Sequence, residues 1–557
     1  MNQVRIFCEN TQSYFSCQTG TTLYYLANQL KIALSSEMLA AFVDNKLKDL
    51  SHEIYVESTI RFIDISQPDG IRTYQRSVSF LCQKAIRDIL PDYKFVIEHS
   101  VSRGLYGEIT KDGVPASEEL LQKVEARMRE LVEKDIPFIR VKEETNKAIE
   151  LFKKNNQPEK ALLQKTRGKF YTTIYYLEEY PDIFYGPLVF STGYLKVFRL
   201  SKYKDGILLR MPKSDNPQEL EPMPKQPKMF YIFQQHKEWN SIIGANGIGS
   251  INRAVQKNNA RQLIQVAEAL QEREYANVAR MIQQKHEQIK LVLIAGPSCS
   301  GKTTTSKRLG LQARVAGLNP VTIELDNYFV NREDTPLDAE GNYDFDCLDA
   351  LDLEFLNQQL HDLLDGNEVE VPFFDFIEGK RYFNGTRLQI KPNDILILEG
   401  IHALNPKLTK GVAEENKFRI YASALTSISM DENNRVPTTD NRLIRRIVRD
   451  VKTRGYNASQ TIAQWQSVRR GEDKYIFPFQ EHADIMFNSA LLFELSVLRR
   501  YAEPLLRGIL PTDSTYCEAV RLLKFLSYFE MISPEDEATI PPTSVLREFI
   551  GGSSFSY

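Results

Sequence analysis

Cysteine is scarce in this chain, and what there is follows no pattern. Cys8, Cys17, Cys82, Cys299, Cys347 and Cys517 are its six cysteines. Their spacing fits neither a metal-ligand set nor a disulfide framework. Neither sign of charge predominates: 70 Lys and Arg against 73 Asp and Glu leave a net −3, too little for an overall field that would draw in nucleic acid or a membrane surface. No apolar run approaches membrane-spanning length, and the opening residues MNQVRIFCEN carry no signal-peptide pattern. These absences predict a cytoplasmic protein with no membrane partner. At 557 residues the chain exceeds the ~250–300 residues at which single cores stop growing, so several domains are expected.

What the chain does have is a phosphate loop. The apolar run LVLIA, Leu291 to Ala295, leads directly into GPSCSGKT, Gly296 to Thr303, and a helix-compatible stretch follows through Leu311. This is G-x-x-x-x-G-K-[ST] between a strand and a helix, the context that gives the motif its meaning. Gly296 and Gly301 permit backbone conformations in which successive N–H groups turn toward phosphate oxygens, and the new helix adds its positive end. Gly296, Ser298, Ser300, Gly301, Lys302, Thr303 and Thr304 are therefore the expected contacts to ATP or GTP. Lys302 can reach the transferred phosphoryl group, and the Thr303 hydroxyl can ligand Mg2+.

Two acids stand where a parallel sheet would present them to that loop. Asp326, in LDNYF, follows the run Val321 to Leu325, and Glu399 follows ILIL. A carboxylate at the first position can take the proton of an attacking hydroxyl, and one at the second can serve the magnesium side. Asp326 also suits a helix cap. Next, TPLDAEGNYDFDCLDALD holds six acids, among them Asp346, and VPFFDFIEGKR places Phe374, Asp375 and Arg381 together. Aromatics beside acids and an arginine suit a pocket that stacks a base and grips sugar hydroxyls; they equally suit core packing with solvated charge. In TTDNRLIRRIVRDVKTRG, Arg442, Arg445, Arg446 and Arg449 recur at helical spacing, with Arg454 before Gly455. Cations on one stripe repel unless an anion faces them, which predicts a lid closing on a triphosphate. A phosphate- or RNA-facing surface helix is the alternative.

Phosphate loop, DxxF, YDFD, P-x-x-DF, EGI and RxxRRxxRDxxxRG, in that order, resemble the uridine kinase and phosphoribulokinase family over about residues 289–490. The resemblance implies transfer of the terminal phosphoryl of ATP or GTP to the 5′-hydroxyl of a pyrimidine nucleoside. It gives Asp326 the catalytic position, Asp346 the ribose hydroxyls, Glu399 the metal side, and the arginines the lid. One departure concerns the base: Phe374 and Gly379 stand where the family's uridine–cytidine kinases carry a tyrosine and a histidine, while Arg381 keeps the arginine. A site without those hydrogen bonds discriminates weakly between bases.

The N-terminal half carries no comparable chemistry. Residues 1–65, through GTTLYYLANQL and AFVDNKLKDL, resemble the small β-grasp TGS domain of threonyl-tRNA synthetases. Residues 66–210 resemble the editing domain of the same synthetases. The four positions of that domain's metal-type residues fall on Arg76, Phe80, Phe184 and Leu188, so its hydrolytic chemistry is expected to be absent. His99 is expected to pack rather than ligate. Five prolines mark a linker in 211–228. Helices are expected over Phe230–Trp239 and Gln262–Gln284, and the G-x-G at Gly247 and Gly249, fed by no strand, is not read as a dinucleotide site.

The expected architecture is α/β and multidomain. A β-grasp (TGS-like) domain (1–65) and an α+β editing-like domain (66–210) precede a linker and helical segment (211–288). A P-loop kinase domain (289–510), a parallel sheet covered by helices, comes next, followed by a C-terminal helix and irregular tail (511–557). The leading expectation is a magnesium-dependent nucleoside kinase. A nucleotide-gated RNA- or tRNA-binding regulator and a kinase for a phosphorylated sugar are the alternatives, and a homo-oligomer is left open.

Overall fold

Leu291–Ala295 is buried at every position, as a strand between two others and beneath two helical layers must be. It pairs in parallel with Asp394–Glu399 on one side and Lys417–Ser423 on the other. Asn319–Glu324 and Ile485–Asn488 complete a five-stranded sheet, again in parallel register. The computed structural model describes residues 3–338, 341, 343–391 and 393–557. Met1 and Asn2 of the N-terminal stretch, Ala339, Glu340 and Asn342 of the acid-rich segment, and Pro392 lie outside them.

Leu293, Ala295, Ile323 and Leu398 face one covering layer with Leu356 and Leu360. Val292, Ile294, Ile397 and Ile420 face another with Tyr275, Leu309 and Ala313. The loop helix Lys302–Val315 and the long helix Ala260–Gln283 belong to this second layer. They are clamped together by Arg308, which donates to Gln271 Oε1 at 2.7 Å and lies over the Tyr275 ring. The hairpin Val369–Asp375 and Lys380–Leu388 stands outside the sheet. No helix among the described residues is long and apolar enough to cross a membrane.

The N-terminal half is built separately. Residues 3–63 form a mixed five-stranded sheet in the order Ser13–Gln18, Gln3–Cys8, Ser58–Ile63, Ala40–Val43, Lys46–Lys48. The helix Leu23–Leu30, capped by Thr22, drops Leu23 and Leu26 into its core. The 22-residue helix Pro68–Ile89 then packs on a second sheet drawn from 94–115 and 199–210. Arg76, Phe80, Phe184 and Leu188 are packing residues there: Phe80 and Phe184 rings lie 5.3 Å apart, and Arg76 donates to Pro187 O. His99 stacks on Phe233 at 4.1 Å, and burial lowers its ring to about 3, a neutral imidazole that cements the helix Pro227–Ile242 to the second sheet.

The tail differs from the expectation of irregular chain. Helix Tyr516–Leu526 is followed by short helical turns at Pro534–Glu537 and Arg547–Ile550. Val545, Leu546 and Phe549 are buried in one core with Leu443, Ile444 and Ile447. Its apolar residues lack a long period, so packing rather than periodicity reveals their place.

Lys160 joins the two halves. Its ammonium is fully buried, 2.7 Å from Asp182 of its own half and 2.6 Å from Asn433 Oδ1 across the junction, with Asp431 at 4.0 Å. Glu432 completes the joint by accepting from the Glu159 and Lys160 N–H groups. Removing the cation would strand two buried carboxylates. Lys160→Ala is predicted to lower unfolding free energy in urea by about 3–5 kcal/mol; a change within about 0.5 kcal/mol, the size of an ordinary surface substitution, would show that the junction does not hold the halves together.

Candidate active site

The loop after Leu291–Ala295 turns under steric constraint. Cys299 adopts φ 58° and Gly301 φ 79°, a left-handed region that a cysteine enters only when its surroundings hold it there. A Cβ at Gly296 would collide with Ala422 O, so the loop lies flat against the neighbouring strand end. The helix begins at Lys302, leaving its first N–H groups free toward the loop.

Three arginines of the helix Thr438–Thr453 hold this shape from behind. Arg442 Nε donates to Ser298 O at 3.0 Å, Arg446 Nη1 to Ser298 Oγ at 2.9 Å, and Arg445 Nη1 to Cys299 O at 3.3 Å. Arg442 is paired with Glu472, which also accepts from Ser298 N at 3.2 Å, and Arg445 is paired with Glu494. Arg442 and Arg445 are 1 % and 0 % exposed. The helix expected to act as a lid is packed against the loop in this structure. Helical spacing shows which cations share a stripe, not what they face, and here they face the loop's own carbonyls and two buried glutamates. Arg449 is paired with Asp450. Arg454, at the helix end, is exposed, lies 5.4 Å from the Phe376 ring, and feels the charge of Asp326.

On the open side, Thr303 Oγ1 donates to Glu399 Oε2 at 3.4 Å and Lys302 Nζ stands 3.9 Å from Glu399 Oε1. Burial pushes the Glu399 carboxyl up to about 8; Lys302 opposes the shift, and the charges of Asp326, Glu324 and Glu548 add to it. The Thr303 hydroxyl and the Glu399 carboxyl side by side form a donor set that suits a hard divalent cation such as Mg2+, whose charge would hold that carboxyl ionised. Asp326 follows Asn319–Glu324 in a single helical turn, and its charge acts on Glu399, Asp346 and His402 alike.

The acceptor side is less like the expectation. Asp346 sits against Gly471, where any Cβ would collide with it; burial and then Glu472 raise its carboxyl to about 6, against the pull of Arg446. Phe329, Phe374 and Phe376 form an aromatic wall with centroids 5.2–6.2 Å apart. Asp375 does not face that wall's pocket: its Oδ1 closes the hairpin turn by accepting from Ile377 N and Glu378 N at 2.8 and 3.0 Å. Arg381 is likewise engaged elsewhere, 2.9 Å from Asp352 and 5.1 Å from the Phe355 ring. At Gly379 a side chain would run into Arg332, whose Nη2 donates to Phe376 O. Gly379 also sits at φ 70°, so a histidine there would need Arg332 to move and a left-handed backbone.

Several residues at this site carry no signal that a linear reading could pick out. Glu472, Glu494 and Ser489, which donates from Oγ to Ser300 O, come from separate stretches and complete the loop's support. His402 lies buried beside Asp326, and burial lowers its ring to about 4. From the tail, Glu548 Oε2 accepts from Thr304 Oγ1 at 2.6 Å, Tyr557 Oη lies 2.9 Å from the same hydroxyl, and Val545 leaves no room for a side chain at Gly301.

Residues 291–492 match the model of the Phosphoribulokinase / Uridine kinase family. Over 197 residues the chain is 31 % identical to the uridine kinase of Ligilactobacillus salivarius, covering 35 % of this chain and 83 % of that protein. Over 194 residues it is 30 % identical to the uridine kinase of Halobacterium salinarum, covering 35 % and 77 %. It is also 29 % identical over 177 residues to the threonine–tRNA ligase of Desulfosudis oleivorans, covering 32 % of this chain and only 27 % of that protein.

The raised Asp346 carboxyl gives a signed expectation. The folded protein keeps this proton up to about 6 while the unfolded chain loses it near 3.9, so this group's contribution to stability falls as pH rises through that window. Asp346→Asn is predicted to raise the melting temperature at pH 7 and leave it nearly unchanged at pH 4. Equal shifts at both values would contradict the burial of this charge.

Proposed function

Because the chain belongs to the phosphoribulokinase and uridine kinase family through residues 291–492, we propose that it is a P-loop kinase that transfers the terminal phosphoryl of ATP or GTP to the hydroxyl of a small acceptor. The leading acceptor is the 5′-hydroxyl of a pyrimidine ribonucleoside. The observation that carries this reading is the convergence of Lys302, Thr303 and Glu399, with the Asp326 charge reaching both Glu399 and Asp346.

Each residue has a separable task. The loop N–H groups and Lys302 hold the phosphates and offset charge that builds on the transferred group. Thr303 and Glu399 would hold Mg2+, which when bound neutralises phosphate oxygens. Asp326 accepts the proton of the acceptor hydroxyl as its oxygen bonds to the terminal phosphorus and the bond to the departing diphosphate breaks. Asp346 orients sugar hydroxyls, and Phe329, Phe374 and Phe376 supply an apolar wall for a base. Phe374 and Gly379 leave that wall without the polar groups that would reject other bases, so the acceptor range is broad among nucleosides. For the N-terminal half, a regulatory module with an RNA or tRNA contact is the second reading, supported by the threonine–tRNA ligase similarity. Arg76, Phe80, Phe184 and Leu188 are packing side chains, so no hydrolysis is assigned to this half.

Release of ADP is predicted to depend on an added nucleoside. Asp326→Asn should reduce it by about 10²–10⁴-fold while retaining nucleotide binding; Lys302→Ala should lose turnover as well. Nucleoside-independent release, or full activity in Asp326→Asn, contradicts the reading. A second expectation follows from the tail: Glu548 holds the Thr304 hydroxyl that a nucleotide phosphate would take, and its charge opposes the incoming anion. Glu548→Gln is predicted to tighten nucleotide binding by about tenfold, the equivalent of ~1.4 kcal/mol, in calorimetric titration. Unchanged or weaker binding would show that the tail belongs to the nucleotide site rather than competing with it.

A further inference from the structure

Far from the phosphate loop in sequence, three parts of the chain each bring a cation to one cleft. The cleft measures about 100 Å³ and is lined by Lys48 of the N-terminal sheet, Arg140 of the second unit, and Lys524 of the helix Tyr516–Leu526, with Asp49, Tyr175 and Gly186 between them. Behind Gly186 lies the Arg76 guanidinium, close enough that no Cβ fits. Arg76 is 8 % exposed and donates only to neutral oxygens, Pro187 O at 3.0 and 3.1 Å and Thr73 Oγ1 at 3.1 Å. Asp49 is the one acid in the lining; it is held by Ser51 and stands 3.7 Å from Arg140.

The charges do not balance. In the lining Lys48, Arg140 and Lys524 face the single carboxylate of Asp49, Arg76 lies behind them with Asp69 acting on it, and Arg167 and Lys169 add their fields to Lys524. This occurs in a chain whose net charge is −3. Desolvation, then Arg76, Arg167, Arg140 and Lys169, lower the Lys524 ammonium to about 7, although the side chain stays accessible at the mouth. Desolvation likewise lowers Arg76 to about 10, and desolvation followed by Arg140 and Lys46 lowers Lys48. Cations gathered without counter-charge cost stability unless an anion relieves them. The buried arginines behind the phosphate loop, by contrast, are paired: Arg442 with Glu472 and Arg445 with Glu494.

We propose that this cleft binds a phosphate group, held jointly by Lys48, Arg140 and Lys524. Tetrahedral and multiply charged, phosphate matches cations converging from three directions, whereas a carboxylate would satisfy one arginine fork. The volume is well below the ~300 Å³ at which pockets enclose a whole drug-sized ligand. The cleft therefore grips the phosphate and leaves the rest of its carrier outside. Inorganic phosphate, a nucleoside monophosphate and an RNA end share this chemistry, and the small carriers fit best because the cations are confined to the cleft rather than spread along a track.

The test uses the full chain carrying Lys302→Ala, which removes the phosphate loop's lysine. Calorimetric titration with inorganic phosphate and with AMP is expected to show one site in this background. Adding Lys524→Gln or Arg140→Gln should weaken it by about tenfold or more, the loss of one charge-assisted contact. Circular dichroism melts confirm that each variant is folded. No binding in the Lys302→Ala protein, or binding that neither added substitution changes, overturns the proposal. So does tRNA binding that depends on Lys524 when neither phosphate nor AMP binds, since the cleft would then belong to an RNA surface. These outcomes are independent of whether nucleosides stimulate turnover.

Discussion

The phosphate loop is held in a strained shape by guanidinium groups that reach its back, and the rest of the catalytic half is arranged around that grip. Cys299 at φ 58° would relax without it. Arg442, Arg445 and Arg446 occupy the loop's outward carbonyls and the Ser298 hydroxyl, and Glu472 and Glu494 neutralise the first two in the interior. Buried pairs of this kind resist being pulled apart, since separation leaves uncompensated charges at a cost of about 3–5 kcal/mol. The helix that carries them is fixed as a consequence. A loop ordered in this way carries the cost of its ordering in folding, which is what an anion site built on it would need.

A pre-formed cradle with its cations turned inward leaves acids to dominate the open face. Glu399 stands beside Lys302 and feels the charges of Asp326 and Glu548, and Asp326 acts on Asp346 as well; burial holds protons on Glu399 and Asp346 above the ordinary carboxylate range. The tail rests against this face, where Glu548 accepts from the Thr304 hydroxyl. Phe549 lies under Arg445 at 5.0 Å, so the tail shares its footing with the loop's support.

Local features were legible in the sequence and long-range ones were not. LVLIA followed by GPSCSGKT names strand, loop and helix because all three are set by neighbours in the chain. Asp326 and Glu399 follow from the rule that parallel strands end at the ligand. The arginine stripe was legible as a stripe, but Glu472 and Glu494 lie some 30 and 49 residues away from their partners, and no periodicity links them. Asp375 and Arg381 share a segment with Phe374, yet one closes a turn and the other, directly across the hairpin from Phe374, leans on Asp352 from a distant stretch. The tail was opaque for the same reason: Val545 and Phe549 are apolar residues among prolines and glycines until the core they enter is seen.

The most direct measurement is a structure of the protein with a non-hydrolysable triphosphate, Mg2+ and a nucleoside. The account predicts the Asp326 carboxylate at roughly 2.6–3.2 Å from an acceptor hydroxyl, with that oxygen in line with the terminal phosphorus above Lys302. An acceptor bound away from Asp326, or a triphosphate whose terminal group points away from that carboxylate, would contradict it.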